Sequence, residues 1–266
     1  MNKLEKEMLD ILKQGKEEFG YVAVKAEFEA EGTRIDEFLR LLDISRRADL
    51  KVGLKIGGCE AIRDLLEAKQ IGVDYIIAPM IETPYALLKY IDAKNRVYCE
   101  DENQETEFLF NIETMSAYHQ LEELVALAVV PDESLGIVFG RVDFSLSSGL
   151  CRDEINSDIV TEYCLNVARK CQANNLKFVV GGGVSVDSLV ALRRIQQIRL
   201  DRFETRKIIF QGDSVSKTNI EQGLLQAVRF ELLWLLSKRE YYNSIENEDK
   251  KRIEMLQNRW KLMVSS

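Results

Sequence analysis

The stretch KVGLKIGGCEAIRDLLEAKQIGVDYIIAPM at 51–80 decides the fold class. It opens on an apolar run, passes through an amphipathic segment and closes on a second apolar run. The closing run, DYIIAPM, is near-continuous rather than alternating. Strands of a parallel sheet are covered on both faces and read in this way. The middle segment, CEAIRDLLEAKQIG, has helical spacing and supplies the crossover that two parallel strands require. The unit reads as strand, helix, strand.

The same pattern extends in both directions. Apolar runs lie at 21–29 (YVAVKAEFE), 96–100 (RVYCE), 107–113 (EFLFNIE), 136–143 (GIVFGRVD), 177–182 (KFVVGG) and 207–212 (KIIFQG). With 51–57 and 74–80 they make eight, and eight strands close a barrel. RVYCE is the weakest, because only a short acidic stretch separates it from the next run. The expectation is one α/β domain over 1–266, a (β/α)8 TIM barrel with a C-terminal helical extension. A chain of 266 residues suits that fold, which needs about 250. The tail at 220–266 reads as two helices. EQGLLQAVRFELLWLL is apolar enough to pack on the barrel. EDKKRIEMLQNRWKLMV carries Met255, Trp260 and Met263, and either closes the barrel floor or reaches a neighbouring subunit of a homo-oligomer.

Composition removes several partners. The net charge of -8 disfavours nucleic acid and anionic membranes. No apolar h-region opens the chain and no run is long enough to span a bilayer. Five cysteines without C-x-x-C spacing suit reduced thiols in a cytosol. Cys164 and Cys171 read as small buried hydrophobes. The single histidine, His119, reads as a helix-surface residue, which leaves Ser-His-Asp and Cys-His catalysis without a base.

Working residues of this fold sit where strands end. Those positions hold Glu27, Glu29 and Glu31; Lys55 with Gly57 and Gly58; Glu82; Glu113; Asp143 with Ser145; Gly181, Gly182 and Gly183; and Gly212, Asp213 and Ser214. Carboxylates dominate, and carboxylates that converge repel unless a cation neutralises them. Oxygen-rich sites suit Mg²⁺ or Mn²⁺, with water and substrate completing the shell. Glu113 and Asp143 form the leading metal pair, because each directly ends a strongly apolar strand. The competing reading is that Asp143 and Glu82 cap helices. Gly182 and Gly183 either approach a phosphate or form a tight turn that needs positive φ.

Three segments resemble the HpcH/HpaI aldolase and citrate lyase family, metal-dependent barrels of the pyruvate/phosphoenolpyruvate superfamily. They are GVDYIIAPMIETPYALLKYI at 72–91, FLFNIETMSAYHQLEELV at 108–125 and GIVFGRVDFSLSSGL at 136–150. The resemblance implies that Glu113 and Asp143 are the metal ligands. Two positions depart from the family pattern. Lys55 stands where the family has a substrate-binding Arg, and a lysine offers one point charge rather than a bidentate fork. Phe28 or Glu29 stands near the family's early-strand His. The resemblance also implies a barrel closed differently from its relatives, since YVAVKAEFE looks like strand two.

The resulting expectation is a divalent-metal-dependent carbon–carbon lyase or aldolase acting on a small oxo-acid or related carboxylate. Lys55 is expected to pair with the substrate carboxylate, with Lys25 in reserve. Gly57, Gly58, Ser145, Gly182 and Gly183 are the other substrate-binding candidates. Glu27 or Glu29 would be the base, on the view that only one of them faces the mouth, Glu27 preferred. The alternatives are a barrel acting on a phosphorylated substrate held by Gly182, Gly183 and Ser214, or a metabolite-binding barrel that has lost catalysis.

Overall fold

The computed structural model describes residues 1–98, 105–129 and 135–264. Eight strands close one barrel in sequence order: β1 Tyr21–Glu27, β2 Lys51–Lys55, β3 Tyr75–Ala78, β4 Glu107–Ile112, β5 Gly136–Gly140, β6 Phe178–Gly181, β7 Arg202–Glu204 and β8 Ile208–Gln211. Helix α1 (Lys3–Gln14) precedes the barrel. Between strands run α2 (Ile35–Arg47), α3 (Ile62–Ile71), α4 (Pro84–Val97), α5 (Met115–His119), α6 (Leu121–Ala128), α7 (Arg141–Ser147), α8 (Asp158–Ala173) and α9 (Leu189–Gln196), and α10 (Ile220–Val264) follows β8.

The expected strand at RVYCE is not one. Arg96 and Val97 complete α4, whose buried Leu87, Tyr90, Ala93, Lys94 and Val97 repeat at helical spacing; residues 99 and 100 lie outside the described residues. The missing strand is Arg202–Glu204. Strands β1 to β7 are parallel to their neighbours, but β8 is antiparallel to both β7 and β1. The chain turns from β7 into β8 through Thr205, Arg206 and Lys207, too few residues for a crossover helix. The C-terminal end of β8 therefore lies at the barrel floor. There Ser214 is fully buried and its Oγ–H donates to Gln211 O, so Ser214 cannot join Gly182 and Gly183 in holding a phosphate at the mouth.

Side chains fill the barrel rather than leaving a pore. Ala23, Tyr75, Ile77, Leu109, Val138, Val179 and Ile209 form its apolar interior. Below them Arg202 closes the floor. It pairs with Glu107 from β4, and its guanidinium lies 4.3 Å from the centre of the Tyr75 ring. Removing one partner of a buried pair strands the other, so Arg202→Ala is expected to cost about 3 kcal/mol in urea unfolding. A loss under about 1 kcal/mol would equate this pair with an exposed one.

The tail is one continuous helix, not two. Leu224, Ala227, Phe230 and Trp234 bury its first half, and Tyr21 Oη donates to Gly223 O. From Asn243 to Val264 every residue is exposed. Cys164 and Cys171 are buried in α8, as expected of small hydrophobes, and burial pushes the Cys171 thiol up to about 12.

Candidate active site

The barrel mouth is formed by the ends of β1 to β7 and the turn into β8. Because side chains alternate along a strand, Lys25 and Glu27 of β1 point inward together. Lys25 Nζ stands 3.2 Å from Glu27 Oε1 and also donates to Glu204 Oε1 at the end of β7. Burial disfavours the Lys25 ammonium, yet Glu204 and Glu27 override that and raise its pKa. Burial alone would raise Glu27, but Lys25 holds it below the usual carboxylate range.

Lys55 ends β2 and is 8 % exposed. Its Nζ lies 3.5 and 3.3 Å from the two oxygens of Glu113 and 3.2 Å from Glu29 Oε2, the last an ion pair without hydrogen-bond geometry. Burial lowers the Lys55 pKa, while Glu113 and Glu29 raise it further, with a net upward shift. Glu113 is held from two more sides. Met80 N donates to Oε1 at 2.9 Å and Asn111 Nδ2 to Oε2 at 2.6 Å. Met80 adopts a φ of 49°, a left-handed conformation that costs a non-glycine residue about 1–2 kcal/mol and here aims its N–H at the carboxylate. Gly140 of β5 makes room: a Cβ there would stand 2.8 Å from Glu113 Oε2.

Asp143 lies in the first turn of α7, directly after β5 and so beside Glu113 in strand order. Its side chain is exposed. It does not cap the helix; Gly140 is the N-cap residue there, and Thr83, not Glu82, caps α4 by accepting from Ala86 N. Ser145 is fully buried and its hydroxyl donates to Arg141 O within α7. That hydroxyl faces the helix rather than the mouth.

The glycines divide. Gly182 and Gly183 have φ of 80° and 63°, and a Cβ on Gly182 would lie 2.7 Å from the backbone N of Arg141 and Val142. A Cβ on Gly183 would meet Ile155. These two form a packed turn, reinforced by Arg141, whose Nη2 donates to Gly182 O. Gly57 donates its N–H to Asp64 at 2.7 Å, whereas a Cβ on Gly58 would meet open space.

Glu27 and Glu29 are not on opposite sides. Residues two apart share a face of a strand, and β1 ends at Glu27, so both reach the mouth. Asn111, Glu204, Arg206 and Lys207 were not read from sequence. Asn111 had a usable signal, since it stands two residues before Glu113 on the same strand face. Lys207 pairs with Glu31, and Arg206 Nη1 lies 3.6 Å from Glu27 and 3.7 Å from Glu31. His119 is exposed at the end of α5.

The linked network sets Glu27, Glu29, Glu31, Glu113, Glu204 and Glu231 against Lys25, Lys55, Arg206 and Lys207. Six carboxylates face four cations. The buried Asn111 Oδ1 also accepts no hydrogen bond. Among the described residues no three His, Cys, Asp or Glu side chains form a complete metal cage. Two carboxylates in an electronegative mouth, beside an unsatisfied amide oxygen, nevertheless fit a hard cation that keeps water and substrate in its shell. Glu113 and Asp143 are the residues that would hold it.

The family model for HpcH/HpaI aldolase/citrate lyase matches residues 22–191, which span β1 to α9. The chain belongs to this family. Solved structures with the same fold include an HpcH/HpaI aldolase from Desulfitobacterium hafniense DCB-2, with a TM-score of 0.58 and 14% identity over 74% of this chain and 82% of that one. An HpcH/HpaI aldolase/citrate lyase family protein from Burkholderia cenocepacia J2315 has a TM-score of 0.58 and 14% identity over 85% of this chain and 90% of that one. A variant of the citrate synthase SbnG has a TM-score of 0.51 and 16% identity over 74% and 81%. No curated protein sequence matches the chain. Within the HpcH/HpaI match lie all the mouth residues of β1 to β6, while Glu204, Arg206 and Lys207 lie beyond it. No described helix is long and apolar enough to cross a membrane.

Proposed function

We propose that this HpcH/HpaI chain is a cytosolic, homo-oligomeric carbon–carbon lyase or aldolase that uses Mg²⁺ or Mn²⁺ and acts on a small oxo-acid. The observation that carries the reading is the Lys55–Glu113 ion pair across the barrel mouth, with Asp143 following the strand next to that of Glu113, all inside the family match. The names of the structural neighbours, aldolases and a citrate synthase, add support by analogy of fold.

Glu113 and Asp143 would hold the divalent ion, which would supply Lewis-acid stabilisation of charge developing on a substrate keto oxygen. Met80 N–H and Asn111 Nδ2 orient Glu113 for that task. Lys55 pairs with the substrate carboxylate as a point charge. Glu29 takes the proton. Glu27 is the weaker base, because Lys25 depresses its pKa. The packed, apolar barrel interior beneath these groups excludes water from below.

Oxalate, a planar mimic of the pyruvate enolate, tests the carboxylate role. Lys55→Ala is expected to lower oxalate affinity about tenfold in the presence of Mn²⁺, and Lys55→Arg to retain it. Unchanged oxalate affinity in Lys55→Ala would remove Lys55 from the substrate site.

The homo-oligomer rests on α10. Ile253, Leu256, Trp260 and Val264 lie along one face of its exposed half, between 53% and 69% exposed. A second copy of the chain is the natural cover for that stripe. Light scattering is expected to find an oligomer for residues 1–266 and a monomer after truncation at Asn243. A monomeric full chain would contradict this.

A further inference from the structure

Lys55 Nζ does more than approach Glu113. It bridges both carboxylate oxygens from one side, at 3.5 and 3.3 Å, while each oxygen also accepts one hydrogen bond, from Met80 N or Asn111 Nδ2. A divalent ion ligated by Glu113 would need that same side. Two cations cannot share it at this range, because like charges a few ångströms apart repel strongly in a partly buried site. A second seat for the ammonium already exists. Glu29 Oε2 lies 3.2 Å away, nearly buried and without a hydrogen-bond donor. Glu29 belongs to the turn after β1, so it can follow the lysine without disturbing the barrel.

We infer that Lys55 is a tethered cation that occupies the metal's place on Glu113 and transfers to Glu29 when the metal binds. In the metal-free protein the ammonium neutralises Glu113, which is only 2 % exposed and would otherwise be a buried, uncompensated charge. On metal binding the ion takes over that neutralisation. The released ammonium rests on Glu29 and faces the mouth until a substrate carboxylate draws it away, which frees Glu29 to act as the base. The lysine thus couples metal loading to carboxylate binding: the carboxylate site is offered only once the metal is in place.

This inference rests on the assignment of Glu113 and Asp143 as metal ligands, and the test separates the two. Mn²⁺ binding is measured by calorimetry, and thermal unfolding with and without Mn²⁺, in the wild-type chain and in Lys55→Met, Lys55→Arg and Asp143→Asn. Lys55→Met is expected to bind Mn²⁺ at least tenfold more tightly than wild type. Its melting temperature is expected to fall without metal and to rise more than the wild type's when Mn²⁺ is added. Lys55→Arg, which keeps the charge, is expected to show no such tightening. If Lys55→Met is unfolded without metal, recovery of its fold on adding Mn²⁺ supports the inference, and failure to recover overturns it. Equal or weaker Mn²⁺ affinity in Lys55→Met, with Asp143→Asn still abolishing wild-type binding, overturns the tethered cation alone. No Mn²⁺ binding in any of the four proteins overturns the ligand assignment as well.

Discussion

Glu113→Gln and Asp143→Asn are each expected to reduce Mn²⁺ affinity at least 100-fold while the barrel stays folded. The factor is a lower bound, since loss of a mere hydrogen-bond partner of a metal ligand typically costs about 10–100-fold. The two variants differ in their side effects. Asp143 is exposed in the first turn of α7, so its amide replacement should leave stability within about 0.5 kcal/mol of wild type. Glu113 accepts from Met80 N, Asn111 Nδ2 and Lys55 Nζ. A glutamine there can offer an oxygen to only one side, so a donor is left facing a donor and stability falls by about 1–3 kcal/mol. Calorimetric titration and urea unfolding read the two quantities separately. Retained affinity in either variant would remove that residue from the metal site.

Glu29→Gln is expected to slow proton transfer to and from a bound oxo-acid by at least 100-fold, the low end of what a positioned base contributes. Glu27→Gln should have a smaller effect on that step. Its carboxylate already serves as counter-ion to Lys25, 3.2 Å away, and is a poor base because of it. The proton-exchange rate of each variant at saturating Mn²⁺ decides between them. Equal rates in Glu29→Gln and wild type would return the role to Glu27 or to a water molecule. His119 is exposed at the end of α5, and His119→Ala should exchange like wild type.

Much of the barrel was legible because parallel strands write themselves as apolar runs. Seven of the eight expected runs became strands within a few residues of their expected bounds. The errors share one cause, which is that apolar content stood in for periodicity. In RVYCE, Val97 belongs to a stripe with Tyr90 and Ala93, and that spacing is helical. Strand β7 was overlooked for the converse reason. Its inward residues are Arg202 and Glu204, so charges point into the barrel while Phe203 is buried on the outer side. Once β7 is recognised, the short turn to Ile208 dictates an antiparallel β8, which moves Ser214 to the floor.

The site was legible in part. Each candidate at the ends of β1, β2 and β4 is brought into one network, and Asp143 follows β5 beside them. The pairing was not legible. Carboxylates that look unneutralised in the sequence are met by Lys25, Lys55, Arg206 and Lys207, which arrive at the same mouth from β1, β2 and the last turn. Pairing across a barrel depends on strand order and shear, and the order had been misassigned at two strands. The parity of Glu27 and Glu29 was available throughout, because side chains two residues apart on a strand share a face.

The proposed reaction passes through an enolate that a divalent ion at Glu113 and Asp143 would stabilise. Its most direct test is the exchange of pyruvate methyl protons with deuterated solvent, followed by proton NMR. With Mg²⁺ or Mn²⁺ the wild-type chain should erase the methyl signal, and chelation of the metal or Asp143→Asn should stop the loss. Metal-dependent oxalate binding without any methyl exchange would contradict the enolate and leave a barrel that binds such acids without acting on them.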